Sequence, residues 1–216
     1  MRNIIKKITH PFLKLGSNLY YSKPRNYCYE NICVKVHPDV FPPHLTFSTK
    51  ILLDFISTIN LSNKKLLELG CGCGIISIYA YKRGAIVTAT DINLKALEFL
   101  NKNCIQNNAS VNIYYSDLFE KIEDINFDFI IINPPYYPKN PKSIKEQAWF
   151  CGQNFEYFES LFNQIKEKSI KSKIYMILSE DCKIENILQI AKKNEVEFNL
   201  IKEIKIYRET NFIFEN

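Results

Sequence analysis

Leu66-Leu67-Glu68-Leu69-Gly70-Cys71-Gly72-Cys73-Gly74-Ile75 is the stretch on which the reading of this 216-residue chain turns. Leu66 to Leu69 is a short apolar run interrupted by one acid, the pattern of a buried strand. Three of the chain's six glycines then fall within five residues. The apolar stretch 75–83 that follows reads as a helix ended by Gly84. A strand, a glycine turn and a helix form the context in which a glycine motif means more than a turn. Glycine lets backbone bend sharply and approach a ligand, and the helix start supplies amides without partners. The plainer reading is that the glycines only let strand and helix pack closely.

On either side, strands and helices alternate. Strands are expected at 85–90, 111–115, 127–132 and 174–178. Helices are expected at 49–59, with Ser48 as N-cap, and at 94–107, 155–168 and 184–194. The stretches 200–208 and 212–214 are separated only by Glu209-Thr210-Asn211, so the last strand should run against its neighbours. The pattern predicts an α/β fold, a doubly wound and mostly parallel seven-stranded sheet with an antiparallel last strand. Near the N-terminus, Tyr27-Cys28-Tyr29 and Ile32-Cys33-Val34 read as a small hairpin. Residues 1–22 read as a short basic helix or helix pair broken near Pro11 and Gly16. The expected organisation is a basic extension over 1–39 and one domain over 40–216.

Composition excludes several classes. A chain 46% hydrophobic and 24% charged is neither a disordered tail nor a membrane protein. No uncharged apolar stretch approaches the roughly 20 residues of a spanning helix, and His10, Pro11 and Lys14 break the one basic N-terminal apolar segment. Seven cysteines, without a CxxC pair, predict neither a disulfide framework nor a ribbon-type zinc site. The expected compartment is the reducing cytoplasm, with no membrane contact. Charge is uneven: residues 1–35 hold seven basic groups against Glu30 alone, a balance of +6, and the remainder balances at −1.

Asp91 closes the second strand, where a carboxylate can accept ribose hydroxyls. A dinucleotide site would want its third glycine at position 75, which is Ile, and Glu68 would repel a pyrophosphate. A carboxylate there suits a cation instead. S-adenosylmethionine carries an ammonium and a sulfonium beside its adenosine and matches these charges; with Glu68 and Asp91 the loop predicts a nucleoside-type cofactor. Cys71 and Cys73 are only two ligands, too few for a closed metal site. They read as small side chains in a crowded loop, and no metal is expected.

Asn133-Pro134-Pro135-Tyr136 follows the fourth strand and should face the same crevice, beyond the carboxyl ends of the strands. Prolines stiffen the backbone and leave carbonyls free. Asn133 and the Pro134 carbonyl can take the two hydrogens of a substrate NH2 group, and Tyr136 can lie over a planar amide or base. The competing reading is a rigid turn with Tyr136 in the core.

These motifs resemble those of class I S-adenosylmethionine-dependent methyltransferases, in particular the small-domain Asn-Pro-Pro-Tyr group, and within it the release-factor glutamine (HemK-type) methyltransferases. Leu67–Gly74, Asp91, Ser116-Asp117-Leu118 and Asn133–Tyr136 match in order and spacing. Val40-Phe41-Pro42 and Ser48–Asp54 are similar to the segment leading into that domain, and Ala148–Gly152 to a further tract, with Cys151 in place of a glycine. The resemblance implies a Rossmann-like sheet. It implies a cofactor site of Thr49, Glu68, Gly70, Cys71, Gly72, Gly74, Asp91, Ile92, Asp117, Leu118 and Asn133, and an acceptor corner of Asn133, Pro134 and Tyr136. Glu68 and the glycines would meet the methionine end, Asp91 the ribose, and Asp117 with Leu118 the adenine. S-adenosylhomocysteine would be the product.

Two acceptors fit this pattern: a protein glutamine in a translation factor, and the exocyclic amine of an adenine or guanine in RNA or DNA. For the second, residues 1–35 interleave basic groups with Phe12, Tyr20, Tyr21, Tyr27 and Tyr29, a composition suited to nucleic acid or a ribosome. A non-catalytic scaffold of the same fold is a third reading, opposed by the intact loop and Asn133.

Overall fold

Alternate residues of the central strands bury on opposite faces of one sheet. Leu66, Ile131, Tyr175 and Ile177 join one apolar cluster, and Leu67, Leu69, Ile130, Ile132 and Met176 the other. Such strands need cover on both sides, which is why they read as continuous apolar runs. The computed structural model describes residues 23–207 and 209–216. The basic helix or helix pair expected over 1–22 therefore lies outside the described residues, as does Arg208.

A two-stranded hairpin, β1 (Arg25–Tyr29) and β2 (Ile32–Val36), precedes the seven-stranded sheet. The sheet comprises β3 (Lys65–Leu69), β4 (Ile86–Asp91), β5 (Asn112–Tyr115), β6 (Phe129–Ile132), β7 (Lys173–Ser179), β8 (Asn199–Ile206) and β9 (Glu209–Glu215). Its order is β5-β4-β3-β6-β7-β9-β8. Strands β3 to β7 pair in parallel, and β9 slots between β7 and β8, antiparallel to both. The predicted architecture is the observed one, with element ends moved by at most three residues.

The hairpin and helices α1 (Ser48–Ile56), α2 (Ile75–Lys82) and α3 (Leu94–Gln106) cover one face, while α4 (Glu156–Glu167) and α5 (Ile184–Lys193) cover the other. In α4, Phe158, Leu161, Phe162 and Ile165 recur at helical spacing and are all buried. Each such side chain contributes about 1.5–3 kcal/mol relative to exposure.

Three expectations need correction. The hairpin is not an appendage: Ile32, Val34 and Val36 lie in the same core as α2 and α3. Asn103 of α3 fastens it, exchanging hydrogen bonds with the Lys35 backbone and donating to the Cys73 carbonyl. Secondly, Cys28 and Cys33 form a disulfide, while the other five cysteines are free and buried. The hairpin register places these two directly opposite each other, with Cα atoms 4.1 Å apart, so a CxxxxC spacing across a two-residue turn was the missed signal. Thirdly, Ser48 is not an N-cap. Phe47 is already helical (φ −88°, ψ −18°) and no side chain caps the helix, which frees the Ser48 hydroxyl for a tertiary contact.

Candidate active site

The sheet reverses its winding between β3 and β6, the place where open α/β sheets bind ligands. Leu69 pairs with Thr90 on one side and Ile132 on the other. Gly70, Asp91 and Asn133 therefore leave the sheet side by side. On the far side of β4, Asp91 pairs with Tyr115, so Asp117 emerges next along the same edge. A cavity of about 500 Å³ opens over these strand ends.

Thr49, Glu68, Gly70, Cys71, Gly72, Asp91, Ile92, Asp117, Leu118 and Asn133 all line it. Gly74, Pro134 and Tyr136 are not among the lining residues. Gly74 (φ +77°) is a packing glycine, because a Cβ there would stand 2.1 Å from Leu100 Cδ1 of α3. Gly70 (φ +71°) is the opposite case: a Cβ would meet nothing within 4 Å. Pro134 is buried. Tyr136 packs against the second core cluster, its ring edge-on to Tyr137 with centroids 4.8 Å apart. The turn after β6 thus splits its residues, with Asn133 facing the cavity and Tyr136 the core.

Glu68 is 5% exposed, and its Oε2 accepts hydrogen bonds from the Ser77 backbone N–H and hydroxyl. Burial pushes its pKa up to about 8, against the lowering effect of those bonds. A desolvated carboxylate held from one side is a fitting partner for a cationic ligand. Burial also raises Asp91, although its two oxygens take the N–H groups of Gly72 (2.9 Å) and Asn93 (2.8 Å). Asp117 is raised by burial and then by Glu120. Burial pushes the Cys71 thiol well up and that of Cys73 to about 12, so both stay protonated. No group of three or more His, Cys, Asp or Glu among the described residues is arranged to hold a metal ion.

Beside the glycine loop, at the end of β6, Asn133 Nδ2 donates to Ser48 Oγ at 3.2 Å. The outer wall comes from the segment after the turn. Tyr137 and Phe150 form a bridge that closes residues 138–149 into a loop, and Ile144, Gln147 and Phe150 of this segment line the cavity. Gln147 Oε1 is buried there without a hydrogen-bond partner. Trp149 does not line the cavity but packs tilted against Phe41, which does, with ring centroids 5.0 Å apart.

Sequence reasoning missed Tyr157 and Gln147. Tyr157 lines the cavity, and after burial the charges of Asp117 and Asp91 are the next causes raising its hydroxyl pKa. Nothing local in 155–168 distinguishes it from the core-facing aromatics of the same helix. Among the described residues no helix is long and apolar enough to cross a membrane.

Over 110 residues the chain is 37% identical to a candidate protein N5-glutamine methyltransferase of Methanocaldococcus jannaschii, covering 50% of this chain and 53% of that one. Over 111 residues it is 40% identical to the ribosomal RNA small subunit methyltransferase C of Haemophilus influenzae, covering 50% of this chain and 33% of that one. The chain thus spans about half or less of the length of these curated relatives. Among solved structures, the fold is shared with the E. cuniculi Mtq2-Trm112 complex (TM-score 0.62, 23% identity, 82% of this chain and 97% of that chain). It is shared also with the T. thermophilus 16S rRNA N2 G1207 methyltransferase, solved with AdoMet and guanosine (TM-score 0.63, 16% identity, 90% of this chain and 50% of that chain). The model of the methyltransferase small domain matches residues 31–150, more than half of the chain, and to that family the chain belongs.

Proposed function

We propose that the protein is an S-adenosylmethionine-dependent N-methyltransferase acting on an exocyclic amide nitrogen, a glutamine side chain of a translation factor. The observation that carries this reading is Asn133 in the cavity wall, one strand over from Glu68 and Gly70 and two from Asp91. When bound, the cofactor supplies an electrophilic methyl group on a sulfonium. The residues present suit it: Glu68 for the cationic end, Asp91 for the ribose hydroxyls, Asp117 and Leu118 for the adenine. The open space at Gly70 lets backbone meet ligand.

On the acceptor side, Asn133 takes an N–H of the substrate nitrogen. An amide nitrogen is a poor nucleophile because its lone pair is delocalised into the carbonyl. Holding its N–H groups orients the lone pair, and the hydrogen bonds strengthen as the nitrogen gains positive charge. Positioning is the main task of the protein in such a displacement, and no nucleophile on the enzyme is needed. With Pro134 off the lining, this part rests on Asn133.

The similarity to the M. jannaschii protein supports a glutamine acceptor. A second reading, an RNA base amine, is supported by the H. influenzae relative and by the +6 charge over residues 1–35. Tritiated S-adenosylmethionine added with the protein to an extract of cells lacking it separates the two. Label sensitive to protease and resistant to nuclease is expected. The reverse sensitivity assigns an RNA acceptor, and label in neither fraction overturns the methyltransferase reading.

A further inference from the structure

We infer that Ser48 is a positioning residue that sets the orientation of the Asn133 side-chain amide, and through it that of the acceptor nitrogen. The inference rests on the role given to Asn133 above. Ser48 lies 85 residues earlier in the chain, on the first turn of α1, and is 3% exposed. Its hydroxyl makes no helix cap. It instead receives Asn133 Nδ2 at 3.2 Å and stands 3.3 Å from Thr46 Oγ1. Either hydroxyl of the Thr46–Ser48 pair can be the donor. In the hydrogen-bonded chain inferred here Ser48 O–H donates to Thr46 Oγ1, which leaves Ser48 Oγ as the acceptor for Asn133 Nδ2–H.

Such a chain matters because the two ends of an asparagine amide are alike in size and opposite in chemistry. Its terminal torsion is broad and roughly two-fold, so hydrogen-bond partners decide which end points where. With Nδ2 tied to α1, Oδ1 is turned to the other side as an acceptor. Flipped, Asn133 would present a donor to a substrate group that also donates, and the clamp would repel what it should hold. Ser48 reaches the substrate only through Asn133. Its neighbour Thr49 lines the cavity itself, so α1 serves the site through two successive residues.

The experiment uses the full chain labelled with nitrogen-15. The Asn133 side-chain NH2 signals are assigned by their disappearance in Asn133→Ala, and their hydrogen exchange is compared in the wild type and Ser48→Ala. Turnover is measured with tritiated S-adenosylmethionine on whichever of a purified release factor or unmodified ribosomal RNA accepts label. Ser48→Ala should speed exchange of the Asn133 NH2 and lower kcat, each by about tenfold, the scale of one hydrogen bond. Acceptor KM and cofactor Kd should stay within about twofold on the same scale. In the Asn133→Ala background, Ser48→Ala should add nothing further. Ser48→Thr, which keeps the oxygen, should restore both readings. Unchanged exchange, or losses that add fully in the double variant, would overturn the inference. Normal turnover in Asn133→Ala would instead sink the reading of Asn133, while the exchange rates still report whether Ser48 orients the amide. Should Ser48→Ala prove unstable, Ser48→Cys keeps the volume, weakens the acceptor and is judged by the same outcomes.

Discussion

The carboxylate of Asp91 accepts the Gly72 backbone N–H at 2.9 Å, so the acid at the end of β4 and the glycine loop after β3 form one unit. The other oxygen takes the Asn93 N–H at 2.8 Å, and Asn93 in turn donates to the Asp39 carbonyl. Asp91 therefore does two things at once. It shapes the loop that forms one wall of the cavity, and it lines that cavity itself.

Asp91→Ala should weaken S-adenosylmethionine binding by about 1–3 kcal/mol, the scale for losing hydrogen bonds to a charged group. Asp91→Asn should do little better, because its NH2 would face one of two backbone N–H donors. Titration calorimetry measures both. Unchanged affinity would remove Asp91 from the ribose contact, and NADH binding in its place would overturn the cofactor.

Affinity for the cofactor should depend on pH through Glu68. With its pKa at about 8, the empty site holds a proton at neutral pH. Pairing with a cation favours the carboxylate, so binding below about pH 8 releases a proton, and Glu68→Gln should abolish that release. Calorimetry in buffers of different ionisation enthalpy counts it. Without cofactor the sign is reversed. The folded chain keeps a proton that the unfolded chain loses near 4.5, so this group's stabilisation is full below that pH and is lost as pH rises through about 8. Asp91 and Asp117, raised first by burial, act in the same direction.

The two glycines bounding the loop should fail differently. Gly74→Ala drives a methyl into Leu100 and forces a left-handed residue, costing about 1–3 kcal/mol for overpacking and about 1–2 for the backbone. Urea unfolding should show that loss. Gly70→Ala carries only the backbone cost but projects its methyl into open space at the ligand site, so it should lower cofactor affinity more than stability. Equal effects of both changes on stability, with affinity untouched, would contradict the division.

Asn133→Ala should lower turnover by about 100-fold or more, by analogy with loss of one oxyanion-type donor, while cofactor affinity stays nearly intact. Single-turnover rates check it. Tyr136→Ala, at a half-buried ring packed against the second cluster, should cost less stability than the ~3–5 kcal/mol of a fully buried aromatic. That is a different outcome from the loss of acceptor binding expected of a stacking ring.

If the +6 charge over residues 1–35 meets nucleic acid, removing residues 1–22 should weaken binding to ribosomal RNA and flatten its salt dependence. Fluorescence anisotropy across a salt series reads both, with cofactor binding as the control. A salt slope unchanged by the deletion would dismiss the segment as a nucleic-acid contact.

Local pattern was enough for the sheet and for the strand-end residues of the cavity, with Asp117 added by the family resemblance. Apolar runs such as Leu66–Leu69 and Phe129–Ile132 mark strands because burial on both faces requires them, and the residue after a strand is fixed by chain connectivity. Glu68, Gly70, Asp91 and Asn133 could therefore be placed at strand ends before any packing was known. Side-chain direction beyond a strand end is another matter. Asn133 turns to the cavity and Tyr136 to the core because α1 offers a hydroxyl on one side and Tyr137 with the second cluster offers apolar contact on the other. The same holds for Ser48, whose neighbours in sequence suggest a cap and whose neighbour in space is an amide 85 residues away. Cys28 and Cys33 meet through hairpin register, and Tyr157 and Gln147 reach the cavity through the docking of segments that carry no local mark of it. Periodicity and connectivity are properties of a chain segment, whereas these choices depend on which distant group supplies the partner, and that is settled only when the layers pack.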